Sequence, residues 1–461
     1  MAKLTFLGGA GTVTGSKYLL DVDERRILID CGLFQGFKQL RLRNWKAFPV
    51  DPRSIEAVLL THAHIDHSGY LPRLVNSGFS GPVYATEATR DLCGILLPDS
   101  GYLQEKEADF ANRHGTSRHK PALPLYTQSD AETALERFRP VPFSTRQDIT
   151  PEISARFVPA GHILGAAIVE LRVETTTIVF SGDLGRPGSP TMVDPTPVAR
   201  ADYLLVESTY GDRTHSPEDP ETALAQVIAR TAARGGTVVI PAFAVGRTQT
   251  LLYHLQRLKA ARRIPDLPVY LDSPMAIDAS DIYCSHAGEH RLSPEQCRTA
   301  CRAAEYVRSV EDSKALDRNQ FPKVIVSASG MATGGRVLHH LKHFAPDPRN
   351  TVLFAGYQAG GTRGAAMIEG AESIKIFGEH VPVRAEVDHL DMLSSHADAD
   401  EILGTTYGLC LTGDTTVVDA LTGRTLYLAQ QQFAWLAKTR EPSQWTGASS
   451  SRPERTSSAH G

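Results

Sequence analysis

Through the first 60 positions apolar residues come in short runs separated by turn residues: "KLTFLG", "SKYLLDV", "RRILIDCG" and "AVLLTHAH". They are too short and too rich in β-branched residues for helices, so the pattern predicts a β-rich opening. From about 86 to 138 the pattern becomes helical and charged. Strand character then returns in "ISARFVPAGH", "AAIVELRV", "TIVFSGD" and "YLLVEST". A first domain over 1–206 is expected. The middle of the chain follows another rhythm, in which "GTVVIPAF", "PVYLDS" and "KVIVSASG" each precede an amphipathic helical segment. Apolar strands alternating with helices predict a parallel α/β sheet, assigned here to 207–377. "VPVRAEVDHL" and "SSHADADEIL" read as a return to the first domain over 378–409, followed by a distinct segment, 410–461.

The chain has 461 residues, which exceeds the size at which one hydrophobic core stops growing, so two or more domains are required. Its net charge of -4 excludes a generally basic nucleic-acid coat while allowing a local positive cleft. Cysteines 31, 93, 284, 297, 301 and 410 are scattered, "MAKLTFLGGAG" lacks the charged and apolar regions of a signal peptide, and no run is long enough to span a membrane. These features predict a soluble, reduced, cytoplasmic protein that does not engage membranes.

The densest chemistry lies in "LLTHAHIDHSGY", where His62, His64, Asp66 and His67 occupy six positions at the exit of an apolar strand. Alternate imidazoles leaving a strand can be aimed at one point, which is a metal-ligand arrangement. Imidazole and carboxylate without thiolate suit zinc, with manganese or iron as alternatives. Four residues in one turn cannot surround two metals, so further ligands must come from elsewhere. His162 in "PAGHILGA" and Asp183 in "VFSGDLG" share the strand-exit setting and are the natural candidates. Asp30 in "ILIDCG" also ends a strand and could orient a ligand histidine.

Other signals carry less. The glycine-rich "LGGAGTVTGSK" fits no nucleotide-binding pattern, "HHLKH" and "HAGEH" have no strand-exit carboxylate beside them, and Cys297 and Cys301 read as small core residues.

HxHxDH followed by a strand-end histidine and a strand-end aspartate resembles the metallo-β-lactamase superfamily. "PAFAVGRTQ", "YLDSPMA", "SASGMATGGR" and "GYQAGGTRG" resemble its β-CASP branch, which includes bacterial RNase J and the endonuclease subunit of the eukaryotic pre-mRNA 3′-end cleavage machinery. The resemblance covers residues 1 to about 403. It implies an αββα sandwich interrupted by an inserted α/β β-CASP domain with a parallel sheet, and passage of single-stranded RNA through the cleft between them. It also implies two zinc ions: His62, His64 and His162 on one, Asp66 and His67 on the second, and Asp183 bridging. Glu207 in "VESTYG" and His396 in "SSHAD" match the acidic and histidine motifs flanking the insertion. Paired, Glu207 would raise the basicity of His396, which would protonate the leaving oxygen. The nucleophile would be a hydroxide between the zincs, attacking the RNA phosphodiester. A homodimer is compatible with this reading.

"SASGMATGGR" lies between a strand and a helix, so amides at Ser329, Gly330, Thr333, Gly334 and Gly335 could cradle a neighbouring phosphate, with Arg247 and Arg336 as backbone contacts. The resemblance breaks after "ADEILGTTYGL": the family strand ending in "HGE", whose histidine completes the second zinc site, does not follow. "CLTGDTTVVDALTGRTLYL" instead resembles the start of an intein, with Cys410 as its acyl-shift nucleophile, and no later segment completes a splicing element. The competing expectations are another hydrolase of this fold acting on a thioester, a lactam or DNA, and an RNA-binding scaffold without activity.

Overall fold

The computed structural model describes residues 2–198, 200–407 and the short segments 416–419 and 425–427. The strand-rich opening builds one sheet in chain order, β1 (Ala2–Gly8), β2 (Lys17–Val22), β3 (Arg25–Ile29), β4 (Ala57–Leu59), β5 (Val83–Ala85) and β6 (Phe138–Pro140). A second sheet comprises β7 (Arg146–Asp148), β8 (Ile153–Pro159), β9 (Ala167–Val173), β10 (Thr176–Phe180) and β11 (Tyr203–Val206). Side chains alternate in direction along each strand, so each sheet fills two layers. Leu20, Ile27, Ile29 and Leu59 pack between the sheets against Phe157, Val169, Phe180 and Leu205. Leu19, Leu28 and Val58 point outward onto Leu71, Leu74, Leu92 and Leu96 of the covering helices. The result is the αββα sandwich that the resemblance implies.

The inserted unit is a second sheet system. Strands β12 (Val238–Pro241), β13 (Val269–Leu271), β14 (Glu305–Tyr306), β15 (Val324–Ser327) and β16 (Thr351–Ala355) are followed by a hairpin, β17 (Ser373–Ile376) and β18 (Glu379–Pro382), and by β19 (Glu386–Leu390). The sheet order is β14-β13-β15-β12-β16-β19, with every pairing parallel. Val238, Ile240, Val324, Val326 and Leu353 face one helix layer, and Val239, Ile325, Val352 and Phe354 the other. Burial on both faces explains why these strands read as continuous apolar runs.

Three sequence expectations change. β19 pairs with β16 from Thr351↔Glu386 to Ala355↔Leu390, so 386–390 is the insert's edge strand and the chain returns to the sandwich at Asp391 or later, not at 378. The half-buried, partly polar edge position gave this strand the look of a solvated sandwich strand. Cysteine is not wholly reduced: Cys284, at the end of the helix Pro274–Ser285, is bonded to Cys297 in the helix Pro294–Cys301. The helical reversal brings residues 13 apart to a Cα separation of 5.8 Å, within bridging range, and Cys301 Sγ lies 3.6 Å from Cys284 Sγ. The core reading of Cys297 and Cys301 missed this because it took them without Cys284.

In the segment read as intein-like, β20 (Thr416–Asp419) adds parallel to β11 and pairs antiparallel with β21 (Thr425–Tyr427). Cys410 lies outside the described residues. Among the described residues no helix is long and apolar enough to cross a membrane.

Closing a loop of 13 residues stabilises the fold mainly by restricting the unfolded chain. Cys284→Ser, which also removes the partner that Cys301 could use, is expected to lower the unfolding free energy by about 2–3 kcal/mol in non-reducing denaturant titrations. Unchanged stability, with three titratable thiols among Cys284, Cys297 and Cys301 in the native wild type, would exclude the bridge.

Candidate metal centre

Asp30 follows β3, His62 follows β4, His162 follows β8, Asp183 follows β10 and Glu207 follows β11. Five strand ends thus deliver their side chains to one rim of the sandwich. Two glycines let the loops close on one another. A Cβ on Gly32 would lie 1.5 Å from the Asp66 carbonyl oxygen, and one on Gly185 2.0 Å from that of Gly161. The first contact lets the 30–33 turn clasp the 62–67 loop through Cys31 N–H to His67 O and Leu33 N–H to Ile65 O. The second seats the Asp183 loop against the His162 loop.

His62 Nε2 and His162 Nε2 each lie 3.2 Å from His64 Nδ1, and they lie 3.4 and 3.5 Å from Asp183 Oδ2. The outward nitrogens of His62 and His162 are committed elsewhere. Asp30 accepts the Thr61 hydroxyl proton, so that hydroxyl accepts from His62 Nδ1–H at 3.1 Å. His162 Nδ1–H donates to the Ser395 carbonyl at 3.3 Å. His64 Nε2 is buried with no partner among the described residues. Burial and the neighbouring imidazoles hold His64 and His162 well below the ordinary histidine value, so both are neutral. Inward lone pairs cannot hydrogen-bond to one another, whereas one cation satisfies them all. Separations of 3.2–3.5 Å match the edge of a tetrahedron, about 3.3 Å, built from Zn–N bonds of about 2.0–2.1 Å. These four residues fit a divalent metal.

Asp183 presents its other oxygen, Oδ1, to His67 Nε2 at 3.2 Å. His67 is oriented from behind by Asp30, which takes its Nδ1–H at 2.8 Å and also accepts the Thr61 amide at 2.8 Å. Although burial opposes it, Asp183 and Asp30 raise His67 well above the usual range. Against the same burial, His67 and His62 hold Asp183 well below it. Asp66 precedes His67 in one helical turn, and burial raises its carboxyl while His67 lowers it. Asp183 and His67 thus face one another on the second side of the centre, and Asp66 acts on both through its charge.

His396, which enters after the insert's last strand, lies with Nδ1 3.2 Å from Glu207 Oε2 and 3.9 Å from Asp183 Oδ2. Burial lowers its pKa, but Glu207 outweighs this and lifts it to about 9. Glu207 is fixed by accepting the Leu184 amide.

The phosphate-cradle candidates fare differently. Ser329 Oγ accepts the amides of Thr333 and Gly334 at 3.0 and 3.3 Å, so those donors turn into the loop rather than toward the histidines. Gly335, at φ +76°, serves the turn itself. Arg336 binds Asp272 and the carbonyls of Val307 and Arg308, a half-buried structural role in place of the expected substrate contact. Gly330 packs on the Phe243 ring, whose centroid is 6.1 Å from that of His64. Arg247 is buried beside the site. Sequence reasoning missed Thr61, Phe243 and His215, whose Nε2–H donates to the His396 carbonyl at 3.0 Å. Only His215, eight residues after Glu207, left a signal, and a lone histidine there carries little information.

Residues 10–240 match the model of the Metallo-beta-lactamase superfamily, and residues 248–367 that of the Beta-Casp domain. The chain is similar to "Ribonuclease TTHA0252" of Thermus thermophilus, 40% identical over 86% of this chain and 88% of the relative. It is 30% identical to an "RNase J-like protein" of Methanocaldococcus jannaschii over 87% of this chain and 89% of that one. A "Transcription termination factor FttA" of Methanosarcina mazei is 35% identical over 87% of this chain, which spans 64% of that factor's length.

Asp30 adopts φ +57°, a conformation asparagine tolerates, so Asp30→Asn tests its carboxylate without disturbing the turn. The substitution is expected to weaken divalent-metal affinity about 10–100-fold in competition with a chelating dye, with an unchanged circular dichroism spectrum. Unaltered affinity would remove Asp30 from the centre.

Proposed function

The chain belongs to the metallo-beta-lactamase superfamily and carries a Beta-Casp domain, and on that premise we propose that it is a metal-dependent ribonuclease that hydrolyses RNA phosphodiester bonds, within the chain, from the 5′ end, or both. The observation that carries this reading is the shared carboxylate of Asp183. One oxygen faces His62 and His162, the other faces His67, and the His396–Glu207 pair stands within 3.9 Å. His62, His64, His162 and Asp183 would hold one ion, and Asp183, His67 and Asp66 a second.

We assign zinc, because neutral imidazole and carboxylate donors without thiolate suit it, while manganese and iron are compatible with the same donors. Divalent ions there would supply Lewis acidity, activating water and neutralising charge on the phosphate. The chain's own residues do the rest. Asp30 fixes the ring of His67, and Glu207 keeps His396 protonated and aimed, so that its imidazolium can hand a proton to the leaving ribose oxygen. A cavity of about 320 Å³ between the sandwich and the insert, next to His162, is in the range of a small-molecule site. That size supports a single-stranded substrate. The insert and the ribonuclease relatives favour RNA over lactam, thioester or DNA. Intact ligands argue against an inactive scaffold.

Asp66→Ala is expected to reduce cleavage of a labelled oligoribonucleotide more than about a hundredfold while the protein remains folded. Retained cleavage would overturn the two-ion arrangement. His396 acts as an acid, so its contribution is present below its raised pKa of about 9 and is lost as pH rises through it. Glu207→Gln is therefore expected to move the alkaline limb of kcat/KM down toward the ordinary imidazole value of 6.5. An unmoved limb would assign the proton to another group.

A further inference from the structure

Arg247 opens the helix Arg247–Ala260, directly after the "PAFAVG" segment that follows β12. It is only 6% exposed, and its Nε has no hydrogen-bond partner among the described residues. Among the described residues no carboxylate pairs with it. Its guanidinium lies against Gly356, where a Cβ would approach Nη2 to 2.9 Å, and the ionisable groups near it are the neutral Tyr210 phenol and another cation, Arg186. A buried guanidinium without a counter-charge is costly, because desolvation is not offset by pairing.

The same arginine lines the 320 Å³ cavity beside His162, together with Arg186, His254, Ser394 and Ser395. The other basic side chains there are already engaged: Arg186 with Glu401 and the Met392 carbonyl, and His254 with Glu221. The carboxylate lining the cavity is Glu218, and it makes no ion pair with Arg247. Arg247 is thus the cation of this cavity that lacks a protein counter-charge among the described residues. It stands beside a metal ligand, on the side of His162 where Ser395 accepts the Nδ1 proton.

We propose that Arg247 forms an anion subsite that binds a phosphate of the RNA neighbouring the scissile one, separate from the phosphate held at the metal centre. This rests on the ribonuclease reading and gives it an anchor for substrate register. A fixed guanidinium fork matches a phosphate's paired oxygens, and its desolvation before binding strengthens the contact. The helix terminus adds little, since Gly246 N–H is bonded to Gln249 Oε1 and Thr250 N–H to Gly246 O.

The test uses Arg247→Met, which keeps an unbranched side chain and removes the charge, and Arg247→Lys, which retains the charge. RNA affinity is measured against salt in the Asp66→Ala background, so that the oligonucleotide is bound without being cut. Arg247→Met should weaken binding at least about tenfold and reduce the slope of log K against log salt by about 0.7, the contribution of one phosphate on a single strand. Arg247→Lys should restore the slope. In the otherwise wild-type protein, Arg247→Met should raise KM while leaving kcat largely intact, and should raise the Tm of the free protein by removing an unpaired buried cation. A purely structural arginine predicts the opposite Tm change and an unchanged slope, and either result would overturn the subsite. Equal losses on 5′-phosphorylated and 5′-hydroxyl RNA assign an internal phosphodiester, whereas a loss confined to phosphorylated RNA assigns the terminal group. Should the wild type neither bind nor cleave RNA, the ribonuclease reading fails. A rise in wild-type Tm with inorganic phosphate that Arg247→Met abolishes would still support the anion site, and no such rise would overturn it.

Discussion

The carboxylate of Asp183 is the constraint on which the rest of the site depends. It is nearly buried, and each of its oxygens faces imidazole. A buried carboxylate is tolerable only where positive charge or donors surround it, so the loops that carry His67 and His396, and the His62 and His162 lone pairs that would hold a cation, must arrive at one place. The sandwich achieves this because all its contributing strands end at the same rim. Small residues allow the arrival: Gly32 beneath the Asp66 carbonyl and Gly185 beneath that of Gly161 permit contacts that any side chain would block.

A second layer of polar contacts fixes what the first leaves free. Asp30 holds Thr61 and His67 together, and Thr61 in turn holds His62, so one carboxylate behind the site sets the ring orientation of two histidines. His396 is held at its ring by Glu207 and at its backbone by His215. The insert has its own buried network, in which Asp272 binds both Arg336 and His340, and His340 also binds Asp317. These partners anchor the 328–336 loop, and the anchoring uses the donors that the sequence suggested for substrate.

Much of the fold and of the site was legible in the residues. The apolar runs of β1 to β4 and β8 to β11 stand where the structure has them, because strands covered on both faces read as short, nearly continuous apolar runs bounded by turn residues. The strand-exit histidines and Asp183 were legible because several ligands had to follow apolar strands next to turns. The domain return was misplaced because β19 is an edge strand, less apolar than its neighbours. The disulfide was hidden because its partners lie in two helices whose reversal no local pattern announces. Of the phosphate-cradle residues, Thr333 and Gly334 failed because a glycine-rich loop looks the same whether its amides face outward or fold back onto Ser329.

By itself the sequence determined the two kinds of sheet, the order of the units and the side chains that are candidates to bind a metal, since periodicity and residue chemistry are local properties. The tertiary structure decided which lone pairs converge, which carboxylate stands behind which imidazole, and which arginine is paired. Arg336 and Arg247 are the plainest case: as letters they were equivalent candidates, yet one is bound to Asp272 and the other is buried without a counter-charge among the described residues. Pairing depends on what the fold brings from 64 residues away, and no local pattern encodes that distance.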